Sequence, residues 1–163
     1  MVPGGSFHAG SGPLRTYRVE VEASMGVDPA AFAAEVDAAL GDARSWTADG
    51  SVALQRVPEG GDFRIALATA ATTDQLCRPL RTVGRYSCGQ GGDAVINLDR
   101  WSGAVEHWTT GLPAYRQMVV NHEVGHVLGH GHLRCPAAGA PAPVMQQQTK
   151  ALDGCIENPW PFP

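Results

Sequence analysis

Residues 122–132 have the sequence HEVGHVLGHGH, which contains the pattern H-E-x-x-H-x-x-G-x-x-H without a gap. His122 and His126 are spaced so that, on a helix, their rings project from one face and can share a metal ion. Gly129 tolerates a positive φ, which allows the helix to stop and the chain to turn back. His132 then approaches the same point from outside the helix. The spacing therefore predicts a zinc site held by three histidines.

The ligand count and the neighbouring acid indicate the kind of zinc site. Three protein ligands leave a fourth tetrahedral position open, which is typical of catalytic rather than structural zinc. Glu123 adjoins the first ligand but cannot join the ligand face, so its carboxylate is free to act as a general base. A buried helix whose histidines are satisfied by neighbouring groups is the alternative. We expect zinc, because the five fixed positions arise by chance in roughly one such chain in ten thousand.

His130 is a fourth histidine in the same segment. If the helix continued, His122 and His130 would be about 12 Å apart along its axis, at 1.5 Å per residue. Zn–N bonds of about 2.0–2.1 Å do not easily close that distance on one ion. We therefore expect His132 as the third ligand, with His130 lining the turn or hydrogen-bonding a ligand. An exchange of His132 for His130 stays open.

Length and composition are those of one folded domain with many turns: 163 residues, 44% hydrophobic and 17% charged, with 20 Gly and 12 Pro. Residues 1–15 are rich in Gly, Ser and Pro, which predicts a flexible tail before a single domain at 16–163. The net charge of -4 and the lack of a basic cluster argue against nucleic acid as a partner. No apolar run reaches the roughly 18–20 residues that span a bilayer. We expect a monomer.

The four cysteines bear on the compartment, although they permit three pairings. The pairing with the shortest loops joins Cys77 to Cys88 and Cys135 to Cys155, and neither pair has C-x-x-C spacing. Two disulfides favour an oxidising compartment and hence secretion, whereas four free thiols in a cytosolic protein are the alternative. The first residues, MVPGGSFHAGSGP, lack the basic and apolar regions of a signal peptide. We expect that an export signal has been removed.

Hydrophobic periodicity predicts strands at 16–22, 51–57, 63–68 and 94–98. A first helix begins with Asp28 as N-cap and Pro29 at the first helical position, and it ends at Gly41. A longer helix begins at Pro113 and carries the histidine motif to the turn at Gly129. The order predicts an α+β fold with a twisted mixed sheet, two main helices, the zinc helix under the sheet and an irregular C-terminal part.

The extended histidine motif, followed by Ala142-Pro143-Val144-Met145, resembles the metzincin clan of zinc metallopeptidases. The resemblance implies an N-terminal subdomain at 16–129 and a smaller C-terminal one at 130–163, which form the two walls of a cleft. It implies that Met145 lies in a Met-turn, an apolar floor beneath the zinc ligands that does not bind the metal. Ordinary core packing of Met145 is the alternative. Some families of the clan have a Tyr two residues later, where this chain has Gln147, so Gln147, another donor or zinc alone must stabilise the oxyanion.

Three segments are similar, more closely, to a family of secreted actinobacterial proteins, a domain family of unknown function with a metzincin-like motif. They are YRQMVVNHEVGHVLGHGH at 115–132, CPAAGAPAPVMQQQT at 135–149 and GCIENPWP at 154–161. The similarity runs from about Tyr17 to Trp160. It implies secretion and two disulfides, but no substrate.

Together these features predict a secreted zinc endopeptidase that acts on peptide or protein substrates, with Glu123 as the base. The alternative is a non-catalytic, zinc-stabilised binding or cell-envelope module. The intact Glu123 argues against that alternative, because a structural site needs no base and is usually closed by a fourth protein ligand. A zinc hydrolase acting on another amide, such as a cell-wall peptide, would carry the same motif.

Residues outside the motif contribute weaker expectations. His107 precedes the zinc helix and is more typical of a surface histidine than of a ligand. The four residues after Met145 are either hydrogen-bond donors for substrate or solvated loop residues: Gln146, Gln147, Gln148 and Thr149.

Overall fold

A computed structural model describes residues 7–23 and 25–163, and within these ranges six strands form one sheet in the order β1-β3-β2-β4-β6-β5. The strands are β1 (His8–Ala9), β2 (Leu14–Val21), β3 (Ala53–Arg56), β4 (Phe63–Ala68), β5 (Cys88–Gln90) and β6 (Asp93–Asn97). The central pairs are parallel, and the two edge pairs, β1 with β3 and β5 with β6, are antiparallel. The same ranges contain four helices: α1 (Pro29–Gly41), α2 (Ala70–Leu76), α3 (Leu98–Ser102) and α4 (Leu112–Val127). The predicted α+β class with a mixed sheet is confirmed.

All four predicted strands are present, as β2, β3, β4 and β6. The bounds of β4 are those predicted, and the other three strands begin and end at different residues from those predicted. FRIALA in β4 is buried at nearly every position; the strand lies between the parallel strands β2 and β6 and contacts α2, and strands of such a sheet are buried when other elements cover its faces. Strands β1 and β5 were not predicted, since two- and three-residue edge strands show no alternation. Helices α2 and α3 were not predicted either. They have seven and five residues, which is too short to show a helical period.

Helix α1 begins as predicted. The Asp28 side chain accepts a hydrogen bond from the backbone N–H of Ala30, and Pro29 is the first helical residue. Gly41 is the last helical residue, but it is not left-handed, and the extended Asp42 follows it as C-cap. Phe32, Val36 and Leu40, spaced four residues apart on one helix face, are buried in the main core.

The predicted tail at 1–15 differs from the structure in its second half, while residues 1–6 lie outside the described ranges. Strand β1 pairs with β3, and Leu14 and Arg15 already belong to β2. A side chain at Gly12 would place its Cβ 2.5 Å from the backbone nitrogen of Val52. Glycine here permits close backbone approach to the sheet rather than flexibility, and composition does not distinguish the two roles.

Helix α4 packs against α1, β5 and β6, so the helix with the histidine motif lies against the sheet, as predicted. The helix lies very close to Gly89 in β5. A Cβ at Gly89 would overlap the carbonyl oxygen of Glu123 and lie 2.7 Å from Cβ of His126. The edge strand therefore contacts the backbone of the histidine motif directly.

Residues 130–163 contain no helix or extended strand, only two isolated bridges at Leu133–Gln146 and Pro141–Ile156. Side-chain hydrogen bonds order this irregular segment. Nε2 of Gln148 donates to the carbonyl oxygen of Asn158 at 2.7 Å, and Oε1 of Gln148 accepts from the N–H of Asn158 at 2.9 Å. The subdomain division at residue 129 stays a prediction. In the described part of the chain, no helix is long and apolar enough to cross a membrane.

We expect Gly89→Ala to destabilise the protein by about 1–3 kcal/mol, because the added methyl group must displace backbone of α4. The matched control is Gly103→Ala, where φ is -149° and a Cβ would have its nearest contact at 3.7 Å. Thermal and urea unfolding of both variants measure the difference. Equal losses of stability in the two variants would contradict close packing of β5 on α4.

Candidate metal centre

His122, His126 and His132 converge at the open side of α4. One ring nitrogen from each of them lies within 4.8 Å of the others, and Nε2 of His126 is 3.0 Å from Nε2 of His132. The first two rings project from α4, and the third comes from the segment after the helix. Small side-chain shifts would bring these nitrogens to the Zn–N distance of about 2.0–2.1 Å. This group of three histidines can hold a metal ion.

In both histidines of α4, His122 and His126, Nδ1 is hydrogen-bonded to a backbone carbonyl. Nδ1–H of His122 donates to the carbonyl oxygen of Val144 at 2.8 Å, and Nδ1–H of His126 donates to that of His130 at 2.9 Å. A carbonyl only accepts, so the ring proton resides on Nδ1 and the lone pair of Nε2 is left for a metal. Two of the three histidines are thus oriented by the backbone of the returning chain.

The turn after α4 has the geometry that Gly129 was expected to provide. Gly129 has a φ of 99° and follows the C-cap Leu128. Its N–H donates to the carbonyl of His126 at 3.0 Å, and the N–H of His130 donates to the carbonyl of Gly125 at 2.9 Å. These two bonds form a Schellman motif. A Cβ at Gly129 would meet nothing within 4 Å, so the backbone conformation, not lack of space, requires glycine.

His130 lies outside the three-histidine group. Its ring stacks on Trp46, with the ring centroids 4.3 Å apart and the planes 16° from parallel. Its carbonyl oxygen accepts the hydrogen bond from Nδ1 of His126. His130 therefore lines the turn and positions a ligand through its backbone.

Glu123 is buried beside His122, with 6% of its surface exposed, and lines the same cleft. Burial raises the pKa of the Glu123 carboxyl to about 8. Burial also lowers the pKa of His122 to about 4 and lowers the pKa values of His126 and His132. Without a metal at neutral pH the three imidazoles are neutral, as ligands must be, and Glu123 holds a proton. A cation at the histidines would favour the carboxylate and lower the pKa of Glu123.

Met145 packs beneath α4 and is almost completely buried. A Cβ at Gly125, between the two helical ligands, would overlap Sδ of Met145 and lie 2.6 Å from Cζ2 of Trp46. Gly125 therefore lets Met145 and Trp46 contact the helix at the ligand positions. This role was not predicted from the sequence, where a glycine inside a helix was the available signal.

A cleft of about 480 Å³ runs past the three histidines. We call its two sides the disulfide-loop wall, residues 80–90, and the C-terminal wall, residues 147–150; its floor is α4. The predicted pairs Cys77–Cys88 and Cys135–Cys155 are both disulfide-bonded, which confirms the pairing with the shortest loops. The first bond joins the chain just before the disulfide-loop wall to β5, and the second closes a loop that contains the C-terminal wall.

The four residues after Met145 have two roles: some line the cleft, and some form buried hydrogen bonds. Gln147, Gln148 and Thr149 line the cleft, while the side chains of Gln146 and Gln148 are buried and hydrogen-bonded to backbone. His107 is not part of the metal group; its Nε2–H donates to the carbonyl oxygen of Gln148 at 2.7 Å and so supports the C-terminal wall. The cleft also contains residues that were not predicted from the sequence: Arg81, Thr82, Tyr86 and Lys150. They lie in irregular segments without a motif, so only the fold brings them together.

Comparison with known proteins identifies the family. A family model described as a protein of unknown function (DUF3152) matches residues 1–163. Because the match covers the whole chain, the chain belongs to this family, in agreement with the expected domain family of unknown function. No curated protein matches the chain.

We expect the metal-free Glu123→Gln variant to be more stable than the metal-free native protein at pH 8. The pKa of Glu123 is about 8 in the folded protein, against an ordinary value of 4.5, so between these values the folded protein binds more protons than the unfolded chain. Native stability therefore falls as the pH rises through this window, whereas Gln does not titrate. The difference should reach up to about 4 kcal/mol at pH 8 and shrink towards pH 5.

Calorimetry of both proteins in the presence of a chelator measures this difference in stability. The histidines titrate in both proteins, so their contribution cancels from the difference. Identical pH dependence of the two unfolding temperatures would contradict a buried, protonated Glu123.

Proposed function

We propose that this member of the DUF3152 family is a secreted zinc metallopeptidase of the metzincin type, an endopeptidase acting on peptides or proteins. The observation that carries the proposal is a buried carboxyl, Glu123, beside three convergent imidazole nitrogens in an open cleft. Imidazole nitrogens suit zinc, and three of them leave a position free. The two disulfides are compatible with an extracellular location.

In the proposed reaction, zinc would supply the Lewis acid and Glu123 the general base. When bound, zinc supplies a Lewis acid that acidifies water and polarises a peptide carbonyl. The three neutral imidazoles leave the double positive charge uncompensated. Glu123 accepts the proton of the attacking water on a carboxylate oxygen and delivers it to the leaving nitrogen. Burial supports this role, because it raises the proton affinity of the carboxylate towards the value that suits transfer near neutral pH.

The position of Met145 supports the metzincin type. The chain reverses at Gly129, contributes His132 and passes under α4, where Met145 packs against Gly125 and the carbonyl of Val144 holds His122. These contacts correspond to the apolar floor that the resemblance implies.

Oxyanion stabilisation differs from families with a Tyr after the Met. The equivalent residue here, Gln147, lines the cleft from the C-terminal wall, and Tyr86 lines it from the disulfide-loop wall. Either side chain offers a neutral hydrogen-bond donor to a developing oxyanion.

A non-catalytic zinc module fits the site less well. A structural ion is usually closed by four protein ligands, whereas the candidate group in the described residues has three members and opens onto the cleft. A buried carboxyl also costs stability near neutral pH and serves no purpose in such a module.

We expect zinc-loaded Glu123→Gln to retain one zinc ion and to lose at least ~100-fold in peptide hydrolysis, because it lacks the general base. The assay is mass-spectrometric detection of cleavage in a diverse peptide library, with zinc content measured on the same samples. The matched control is Glu106→Gln, which removes an exposed carboxylate outside the cleft and should retain full activity. Undiminished cleavage by Glu123→Gln would refute the mechanism, and no cleavage by the native protein would refute peptidase function.

A further inference from the structure

The basic side chains of this protein fall into two groups. Of the 12 Lys and Arg residues, six make ion pairs with carboxylates: Arg15, Arg18, Arg44, Arg56, Arg64 and Arg116. The other six form no ion pair within residues 7–23 and 25–163. Four of these line the cleft or the two depressions beside it: Arg78, Arg81, Arg134 and Lys150. In the described residues, the cations that form no ion pair are therefore concentrated around the candidate metal centre.

The charge of the cleft is opposite in sign to that of the whole chain. The net charge of the protein is -4, yet the cleft itself is lined by two cations, Arg81 and Lys150, and by a single carboxyl, the buried Glu123. Low-dielectric walls that carry one sign of charge focus the electrostatic potential and attract ligands of the opposite sign. A cleft of this kind favours an anionic ligand.

The disulfide-loop wall presents Arg81 on an ordered backbone. Nε2 of Gln90 donates to the carbonyl oxygens of Cys77 at 2.6 Å and Arg78 at 2.9 Å. On the other side of Arg81, the Asp74 carboxylate accepts hydrogen bonds from Oγ1 of Thr82 and from the N–H of Gly84. The Asp74 carboxylate thus binds groups of the loop and forms no ion pair with Arg81. The guanidinium of Arg81 is therefore available to a ligand.

The C-terminal wall presents the second cation across the cleft. Nζ of Lys150 lies 5.0 Å from the centroid of the Tyr86 ring, which belongs to the opposite wall. The backbone N–H of Lys150 donates to the carbonyl oxygen of Gln147 at 2.8 Å, which fixes its position after the cleft-lining Gln147. Because a cation–π contact uses the ring face and no hydrogen-bond acceptor, the ammonium hydrogens stay available to a carboxylate.

We propose that the cleft selects peptides that carry Glu or Asp beside the bond over the metal centre, with their carboxylates held by Arg81 and Lys150. This inference rests on the proposed peptidase function and names its substrate class. The lining favours a peptide over a simple anion, because Leu80, about half of whose surface is exposed, offers apolar contact to the rest of the ligand. Carboxylates between two cations would be bound by charge-assisted hydrogen bonds.

The test measures binding without turnover, using the zinc-loaded Glu123→Gln protein. Two capped peptides of one sequence, with Glu or with Gln at alternate positions, are titrated calorimetrically at low and high salt. We expect the Glu peptide to bind about tenfold more tightly at low salt, and the advantage to shrink at high salt because exposed charges are screened. Arg81→Gln and Lys150→Gln, made in the Glu123→Gln background, should each reduce the advantage about threefold.

The matched control is Arg15→Gln in the same background, which removes one positive charge outside the cleft and should leave the advantage unchanged. Equal binding of the two peptides, or an equal effect of Arg15→Gln, would overturn the proposed selectivity. Hydrolysis of both peptides by the native protein separates the two proposals. Equal cleavage would overturn the selectivity alone, whereas selective binding of the Glu peptide without any cleavage would overturn the peptidase function alone.

Discussion

The reversal of the chain at Gly129 is the constraint on which the metal centre depends. Two backbone hydrogen bonds and a φ of 99° at Gly129 end α4 at Val127, directly after His126, so that His132 can return to the ring nitrogens on the helix. The same reversal places the carbonyl of His130 on Nδ1 of His126. It also directs the chain beneath the helix, where the N–H of Leu133 donates to the carbonyl of Met145 at 3.1 Å. One backbone turn therefore supplies one histidine of the candidate metal centre and orients another.

The two walls of the cleft beside the candidate metal centre are held in place by different interactions. Edge strand β5 contacts α4 through Gly89, and the Cys77–Cys88 bond ties the disulfide-loop wall to that strand. On the other side, buried Gln148 and the Cys135–Cys155 bond order a segment that has almost no regular secondary structure. Disulfides reduce the conformational freedom of the unfolded chain, which matters most where a wall has few backbone ladders of its own. The disulfide-loop wall is thus attached to the sheet through β5, whereas the C-terminal wall is held by a disulfide and by side-chain hydrogen bonds.

The sequence was most informative where chemistry demands fixed spacing. The convergence of His122, His126 and His132 was predictable from their spacing and the turn at Gly129, and the pairing of the cysteines was predictable from short loops. Long elements with a clear period, such as α4 and β4, were also predictable. Short edge strands were not, because they depend on the neighbouring strand rather than on their own pattern. The roles of Gly89 and Gly125 appear only in the packed structure. The same holds for Arg81 and Lys150, which line one cleft from distant parts of the chain.

The proposed metal centre holds one zinc ion through Nε2 of His122, His126 and His132. X-ray absorption at the zinc edge of the reconstituted protein tests it most directly, combined with zinc content of His132→Ala and of the matched control His130→Ala. We predict one zinc ion per chain with three imidazole nitrogens at about 2.0–2.1 Å and one further light atom, lost in His132→Ala and retained in His130→Ala. Sulfur in the coordination shell, or loss of zinc in His130→Ala with retention in His132→Ala, would contradict it.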